Sequence, residues 1–159
     1  MANESQCTAT AESVVKKYAD MVYRLAFAQV RSKSDADDVF QEVFLRYVQN
    51  KTVFESEEHR KAWLIRVTVN CAKKHWSSAW HRKTVPLEDS YSFELPEETG
   101  VDEAMWKLAP KYRSVIHLFY YEGYSVAEIS SILGVRESTI RTQLTRARAR
   151  LSEMLKGDL

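Results

Sequence analysis

Glycine, proline and cysteine are scarce in this chain of 159 residues, with four, three and two of them. The first 85 residues contain neither glycine nor proline, which favours helices joined by short polar turns. Two cysteines are too few for a secreted disulfide framework. No apolar run approaches the length of a membrane span, and the N-terminus lacks the apolar core of a signal peptide. These absences predict a cytoplasmic helical protein without membrane insertion.

Charge is unevenly distributed along the chain, although the net charge is only +1. Residues 1–85 hold 14 basic and 10 acidic side chains, and residues 107–159 hold 9 and 5. Residues 86–106, between these blocks, hold seven acids and no base. Two basic blocks on either side of an acidic segment indicate two modules that can bind a polyanion. The prolines and polar composition of the acidic segment are typical of a linker.

Hydrophobic periodicity predicts three helices before the linker. The first spans about residues 9–30, the second about 35–50 with Ser34 as its N-cap, and the third begins near residue 57 or 58. The stretch 51–60 is interpreted as a loop that leads into the third helix. The second helix carries a polar face opposite its apolar stripe, formed by Asp35, Asp38, Gln41 and Glu42.

The segment from Gly123 to Leu151 has the pattern of a helix-turn-helix and carries five arginines. Ser125 is expected to cap a short helix that ends at Leu133, and Gly134 provides a turn residue that tolerates positive φ. A final helix follows from about residue 137 to residue 155. Its apolar positions recur as one buried stripe, namely Ile140, Leu144, Ala147, Leu151 and Leu155.

The other face of this final helix and the turn before it are predicted to contact DNA. The N-terminal part of a recognition helix reaches base edges in the major groove, which suits Arg141, Thr142 and Thr145. Arginines further along suit phosphates. The alternative is a solvated helix face without a ligand. The predicted contacts are Arg136, Ser138, Arg141, Thr142, Thr145, Arg146 and Arg148.

No metal, cofactor or catalytic residue is predicted. Cys71, His75 and His81 come closest to a metal-binding set, but their spacing matches no common zinc site. No glycine-rich phosphate loop is present, and no nucleophile and base occur in a recognisable arrangement. The chain is therefore predicted not to be an enzyme.

Two motifs together resemble the extracytoplasmic-function group of bacterial sigma-70-type sigma factors. The first is "DADDVFQEVFLRYV" with "AWLIRVTVN" after it, and the second is "LAPKYRSVIHLFYYEGYSVAEISSILGVRESTIRTQLTRARARL". The resemblance covers about residues 9–83 and 101–156. It implies an all-α fold of two small helical domains, sigma region 2 (1–85) and sigma region 4 (101–159), joined by an acidic linker (86–100).

The resemblance also implies a function, which is promoter-specific initiation of transcription together with core RNA polymerase. Region 2 would bind the clamp coiled coil of the polymerase through Asp35, Asp38, Gln41 and Glu42. It would recognise and melt the −10 element, and the matching positions are Phe54, Asn70, Lys73, Lys74 and Trp76. Region 4 would bind the −35 element with its helix-turn-helix. The expected partners are core polymerase (clamp and flap), promoter DNA and an anti-sigma factor.

A second hypothesis is a free-standing helix-turn-helix regulator that binds an operator without polymerase. The long N-terminal helical block would then serve dimerisation or ligand binding. The two hypotheses differ in one observable property, because a regulator should bind duplex DNA unaided, with strong salt dependence. A sigma factor should bind its promoter weakly when free.

Overall fold

The computed structural model describes residues 10–81 and 100–157, and side chains within 10–75 and 104–156. Every regular element in this part of the chain is helical, which confirms the all-α prediction. The predicted linker lies outside the described residues except for Gly100. The elements are α1 (Ala11–Val30), α2 (Lys33–Gln49), α3 (Glu57–His81), α4 (Gly100–Lys107), α5 (Pro110–Ile116), a π-helical segment (His117–Tyr121), α6 (Val126–Leu133) and α7 (Glu137–Gly157).

The chain divides into two compact units, Met1–Pro86 and Leu87–Leu159. In the N-terminal unit, α1, α2 and α3 each pack against the other two. Their apolar stripes bury a small core, which includes Val22, Leu25, Val39, Val43, Leu64 and Ile65. None of the described helices combines the length and the apolar character that a membrane-spanning segment requires.

Helix α2 begins two residues earlier than predicted, because Ser32 and not Ser34 is its N-cap. The side chain of Ser32 accepts a hydrogen bond from the backbone N–H of Asp35 at 3.3 Å. Both serines are followed by an aspartate three positions later, so the cap pattern alone does not separate them. Arg31 resolves the choice, because it ends α1 in the left-handed conformation at φ 57°, and α2 starts directly after it.

In the C-terminal unit, α7 packs against α4, α5 and α6. The predicted stripe of α7 faces this core, with Ile140, Leu144 and Ala147 buried and Leu151 and Leu155 half-buried. The stripe of the preceding segment is also found, with Leu108, Tyr112, Val115 and Ile116 buried and Phe119 half-buried.

Arg113 has a structural role that its sequence position does not reveal. Its side chain is 1% exposed, and Nη1 donates hydrogen bonds to the carbonyls of Leu108 at 2.8 Å and Trp106 at 3.2 Å. Carbonyls at the end of a helix have no partner within the helix. The buried guanidinium therefore ties the end of α4 to α5, which Pro110 begins.

Candidate nucleic-acid and polymerase interfaces

The helix-turn-helix has the geometry that the sequence predicts. Ser125 and Glu128 form a reciprocal capping box at the start of α6, with both hydrogen bonds at 3.1 Å. Gly134 ends α6 in the left-handed conformation at φ 69°, where a side chain would be strained. Ser130 donates a hydrogen bond of 2.5 Å to the carbonyl of Val135. This bond ties α6 to the turn and so fixes the direction in which α7 leaves.

The outer face of α7 is exposed and basic. All seven predicted −35 contacts are exposed in the structure. The hydroxyls of Thr142 and Thr145 each donate to the carbonyl four residues earlier at 2.9 Å. Their methyl groups and oxygen lone pairs remain available, and a threonine methyl can contact a thymine methyl. The exposure permits DNA contact at every one of these positions, and the contacts themselves stay a prediction.

Two arginines of α7 are held by aromatic rings of their own unit. Arg148 Nε donates to the hydroxyl of Tyr120 at 2.6 Å, and its guanidinium lies 5.5 Å from the ring centre of Phe119. Arg150 lies 4.9 Å from the ring centre of Tyr112. Cation–π contacts of this kind orient an exposed guanidinium. A phosphate contact by Arg148 would therefore use N–H groups other than Nε.

An apolar groove lies beside Arg148 in the same unit. Its walls come from α4, α5, the π-helical segment and α7, with Arg148 and Lys156 as the cations among its lining. Tyr120 and Tyr121 are mostly exposed in it. This groove was not predicted from the sequence, although the tyrosine pair that precedes Glu122 and Gly123 was an available signal. The apolar side chains are Met105, Ile116, Leu151 and Leu155.

In the N-terminal unit, the predicted polymerase-binding face of α2 is divided in two. Glu42 accepts from Arg46 at 2.8 Å and lies 3.9 Å from Nζ of Lys74. The carboxyls of Asp35 and Asp38 both approach His75 of α3. The prediction of one uniform polar face is therefore incomplete, because α3 packs along its edge. Gln41 and Asp38 are the exposed members of the set.

Two apolar side chains that were not predicted from the sequence extend this face. Leu45 is 57% exposed and Val48 is 61% exposed. They lie four and seven positions after Gln41, and this helical spacing places all three on one side of α2. The signal was present in the sequence, because neither residue belongs to the apolar stripe of α2. A mixed polar and apolar surface is typical of a protein-binding site.

Phe54 does not lie where the −10 prediction requires. It is 6% exposed and stacks on Tyr47 with ring centres 6.0 Å apart. Trp63 and the buried Arg60 complete its surroundings, at 5.7 Å and 5.3 Å. These contacts make Phe54 the anchor of the loop, and a base cannot stack on it in this conformation. We therefore correct its assignment from DNA contact to core packing.

The remaining −10 candidates lie on α3. Asn70, Lys73 and Lys74 are exposed, and Arg66 extends them one turn earlier on the same side. The side chain of Trp76 lies outside the described residues. Exposed basic side chains with the amide of Asn70 between them suit the phosphate backbone of single-stranded DNA. The assignment of these residues to the −10 element stays a prediction. Lys74 also lies beside Glu42, which connects this surface to α2.

A polar network joins the start of α3 to α1. The hydroxyl of Tyr18 donates to Glu57 at 2.7 Å, and Lys17 and Arg60 also contact this carboxylate. The hydrogen bond from Tyr18 and the two cations lower the pKa of Glu57. By contrast, burial raises the pKa of the Cys71 thiol. A buried thiol with a raised pKa is a poor nucleophile.

The structure thus combines a unit that carries a helix-turn-helix with an exposed basic face and a three-helix unit with an exposed surface of mixed polarity. Two family models match the chain, "Sigma-70 region 2" over residues 14–82 and "Sigma-70, region 4" over residues 100–151. Each match lies within one of the two compact units.

Two sigma factors of Mycobacterium tuberculosis are similar to this chain over most of its length. The "ECF RNA polymerase sigma factor SigL" of Mycobacterium tuberculosis is 30% identical over 141 residues, covering 80% of this chain and 78% of SigL. SigM of the same species is 29% identical over 149 residues, covering 91% and 76%. The chain belongs to the extracytoplasmic-function group of sigma-70-family RNA polymerase sigma factors.

Solved structures share the fold. The sigma factor RpoE of Bartonella quintana, in complex with the anti-sigma factor NepR, superposes with a TM-score of 0.71 at 22% identity. The match covers 93% of this chain and 98% of RpoE. CnrH, in complex with the cytosolic domain of CnrY, gives a TM-score of 0.69 at 22% identity, over 94% and 89% of the two chains.

Proposed function

We propose that this chain binds core RNA polymerase in the cytoplasm and directs it to a specific class of promoters. The observation that carries the proposal is the presence of two different surfaces in one chain of this family. Helix α2 exposes Asp38, Gln41, Leu45 and Val48, a surface for a protein. Helix α7, the second helix of the helix-turn-helix, exposes arginines and threonines on its outer face, a surface for duplex DNA. The family matches to both regions support this proposal over a free-standing regulator, which would use the first surface for dimerisation.

Each surface has one task in this proposal. The outer face of α2 docks on the clamp coiled coil, and Asn70, Lys73 and Lys74 of α3 hold the separated strand at the −10 element. Arg141, Thr142 and Thr145 read base edges at the −35 element, while Arg136, Arg146 and Arg148 contact phosphates. Ser138 lies at the start of α7, where its hydroxyl can bond a phosphate. Catalysis belongs to the polymerase.

The groove of the C-terminal unit is proposed to receive an apolar segment of the polymerase flap. Its exposed tyrosines and half-buried leucines would bury apolar area on docking, while Lys156 suits an acidic neighbour. An anti-sigma factor is the expected competitor for the surfaces of both units. The structural neighbours RpoE and CnrH, which form complexes with NepR and CnrY, support this expectation.

Polymerase binding is tested by co-elution of the full chain with core polymerase on a sizing column. Wild type should co-elute stoichiometrically, and Leu45→Asp and Asp38→Arg should each reduce co-elution because they place charge in the contact. Asp20→Arg is the matched control, since Asp20 is an exposed acid on α1. If wild type failed to co-elute, or if the control lost as much as the two variants, the assigned surface would be wrong.

DNA recognition is tested with reconstituted holoenzyme and a promoter selected from a randomised duplex library. Arg141→Ala should weaken promoter binding by about 1–3 kcal/mol and relax the base preference at one −35 position. Lys111→Ala removes an exposed cation outside the helix-turn-helix and should change little. Both variants should bind core polymerase as wild type does. Unchanged base preference in Arg141→Ala would remove Arg141 from the reading residues.

A further inference from the structure

Three side chains able to ligate a metal converge where α2 packs against α3. Nε2 of His75 lies 3.6 Å from a carboxylate oxygen of Asp35 and 3.6 Å from one of Asp38. One ligand atom from each residue fits within 4.8 Å of the other two. The side chains of His75 and Asp35 are 18% and 23% exposed, whereas that of Asp38 is 61% exposed. The set is thus partly buried and open on one side.

The packing of α2 against α3 positions these three side chains. Asp35 and Asp38 are three residues apart on α2 and therefore lie on the same face. Helix α3 is fixed against α2 by the core around Val39, Val43 and Leu64. His75 lies next to the exposed lysines of α3 but on the side that faces α2. Its imidazole is consequently directed between the two carboxylates.

The distances are too long for charged hydrogen bonds and lie close to those between two ligands of one ion. A charged hydrogen bond between nitrogen and oxygen is about 2.7–2.9 Å long, so neither contact of His75 is one. With metal–ligand bonds of about 2.1 Å, two ligands of a tetrahedral ion are about 3.4 Å apart. Nε2 meets both oxygens at nearly this spacing.

We propose that Asp35, Asp38 and His75 bind a divalent transition-metal ion of the zinc, cobalt and nickel class. The imidazole nitrogen selects this class over magnesium and calcium, which prefer oxygen ligands alone. Two carboxylates and a neutral imidazole balance the charge of a divalent ion. The exposed side of Asp38 leaves a fourth position for water or for a group of a binding partner.

A consequence follows for the polymerase, and it rests on the proposed function. Asp38 belongs to the exposed part of the α2 surface. A bound ion would neutralise the carboxylates of Asp35 and Asp38 and hold the side chain of Asp38. Docking of α2 on the clamp should then be weaker. Region 2 would in this way couple the availability of a metal to the assembly of holoenzyme.

The metal site is tested on the full chain without polymerase, so that its outcome is independent of the proposed function. The protein is freed of any histidine tag and carries Cys7→Ser, so that a thiolate from the N-terminus does not contribute. Co²⁺ is titrated as a spectroscopic probe of visible absorption, and Zn²⁺ is then titrated in competition. We expect saturable bands typical of nitrogen and oxygen ligands, without a thiolate-to-cobalt band, and their loss when zinc is added.

Variants assign the ligands. Asp35→Asn, Asp38→Asn and His75→Gln should each weaken zinc binding at least about tenfold, since even loss of an outer partner of a ligand costs that much. Glu42→Gln and His59→Gln remove an acid and an imidazole of the same unit and should bind as the unsubstituted protein does. Thermal melting without metal verifies the fold of each variant. Asp38→Asn is expected to disturb folding least of the three, because Asp38 is exposed.

Two results would overturn the site. One is the absence of saturable cobalt or zinc binding below about 1 mM. The other is binding that survives Asp38→Asn and His75→Gln in folded protein, which would mean that the ion is bound elsewhere. In a final experiment, zinc should reduce co-elution of the unsubstituted protein with core polymerase and leave that of His75→Gln unchanged. Equal co-elution with and without zinc would overturn the consequence and leave the site intact.

Discussion

The two units present their candidate binding residues in different ways. In the C-terminal unit, the predicted DNA contacts lie on one helix and the turn before it, and all are exposed. In the N-terminal unit, the predicted set divides among a buried anchor (Phe54), carboxylates that approach side chains of α3 (Asp35, Asp38, Glu42) and an exposed amide (Gln41), and Asp38 is also exposed. The difference arises because the first site belongs to one helix, whereas the second is assembled from two helices and a loop.

The difference between the two units shows which binding faces hydrophobic periodicity can predict. An amphipathic helix separates its buried and exposed sides by itself, so the outer face of α7 follows from the spacing of its apolar residues. A face beside a neighbouring helix depends on what that neighbour presents. His75 and Lys74 of α3 decide which acids of α2 remain open.

The largest expected effect separates the two units thermodynamically. Leu144→Ala removes a fully buried side chain of α7 and should lower the free energy of unfolding of the C-terminal unit by about 2–5 kcal/mol. Urea unfolding followed by circular dichroism measures this, with the exposed Thr145→Ala as control. Co-elution with core polymerase through the N-terminal unit should persist. A parallel loss of stability in both units would contradict their independence.

A smaller effect is expected at the buried arginine that joins α4 to α5. Arg113→Met keeps much of the apolar stem and loses the hydrogen bonds to Trp106 and Leu108, which should cost about 1.5–3 kcal/mol. Arg150→Met removes an exposed arginine that also contacts a ring, and it should change stability little. Equal urea midpoints for Arg113→Met and Arg150→Met would show that the buried hydrogen bonds of Arg113 do not stabilise the C-terminal unit.

The salt dependence of promoter binding should distinguish arginines within α7. Arg146→Ala should lower the slope of log affinity against log salt by about 0.9, the value for one phosphate contact. Holoenzyme binding to a labelled promoter at several salt concentrations measures the slope. Lys111→Ala should leave it unchanged. If Arg146→Ala altered base preference and kept the slope, its assignment would change from phosphate to base.

The smallest effect concerns pH and the N-terminal unit. The lowered pKa of Glu57 stabilises the fold above the unfolded pKa, and this stability is lost as pH falls through the folded pKa. Tyr18→Phe removes the largest cause of the lowering, so its melting temperature should fall less steeply than that of wild type between about pH 7 and about pH 3. Tyr121→Phe, in the C-terminal unit, should keep the wild-type slope. A steeper slope in Tyr18→Phe would reverse the sign of the argument.

Local signals predicted much of the C-terminal unit. Ser125, Gly134 and the stripe from Ile140 onward each act through their own helix or turn, and each is found as predicted. At the start of α2 the same kind of signal was ambiguous, because Ser32 and Ser34 offer equal caps. Arg31 in the left-handed conformation then placed the cap at Ser32, and nothing in the cap pattern indicates that.

The amino-acid sequence by itself determined the all-α class, the position of the helix-turn-helix, its exposed arginines and the resemblance to sigma regions 2 and 4. Only the tertiary structure decided that Phe54 is a buried anchor, that Arg113 binds the end of α4, and that His75 lies between Asp35 and Asp38. The physical reason is the separation along the chain over which each interaction acts. Caps and apolar periodicity act over one helical turn to a few turns, whereas burial and side-chain convergence depend on which helices pack together.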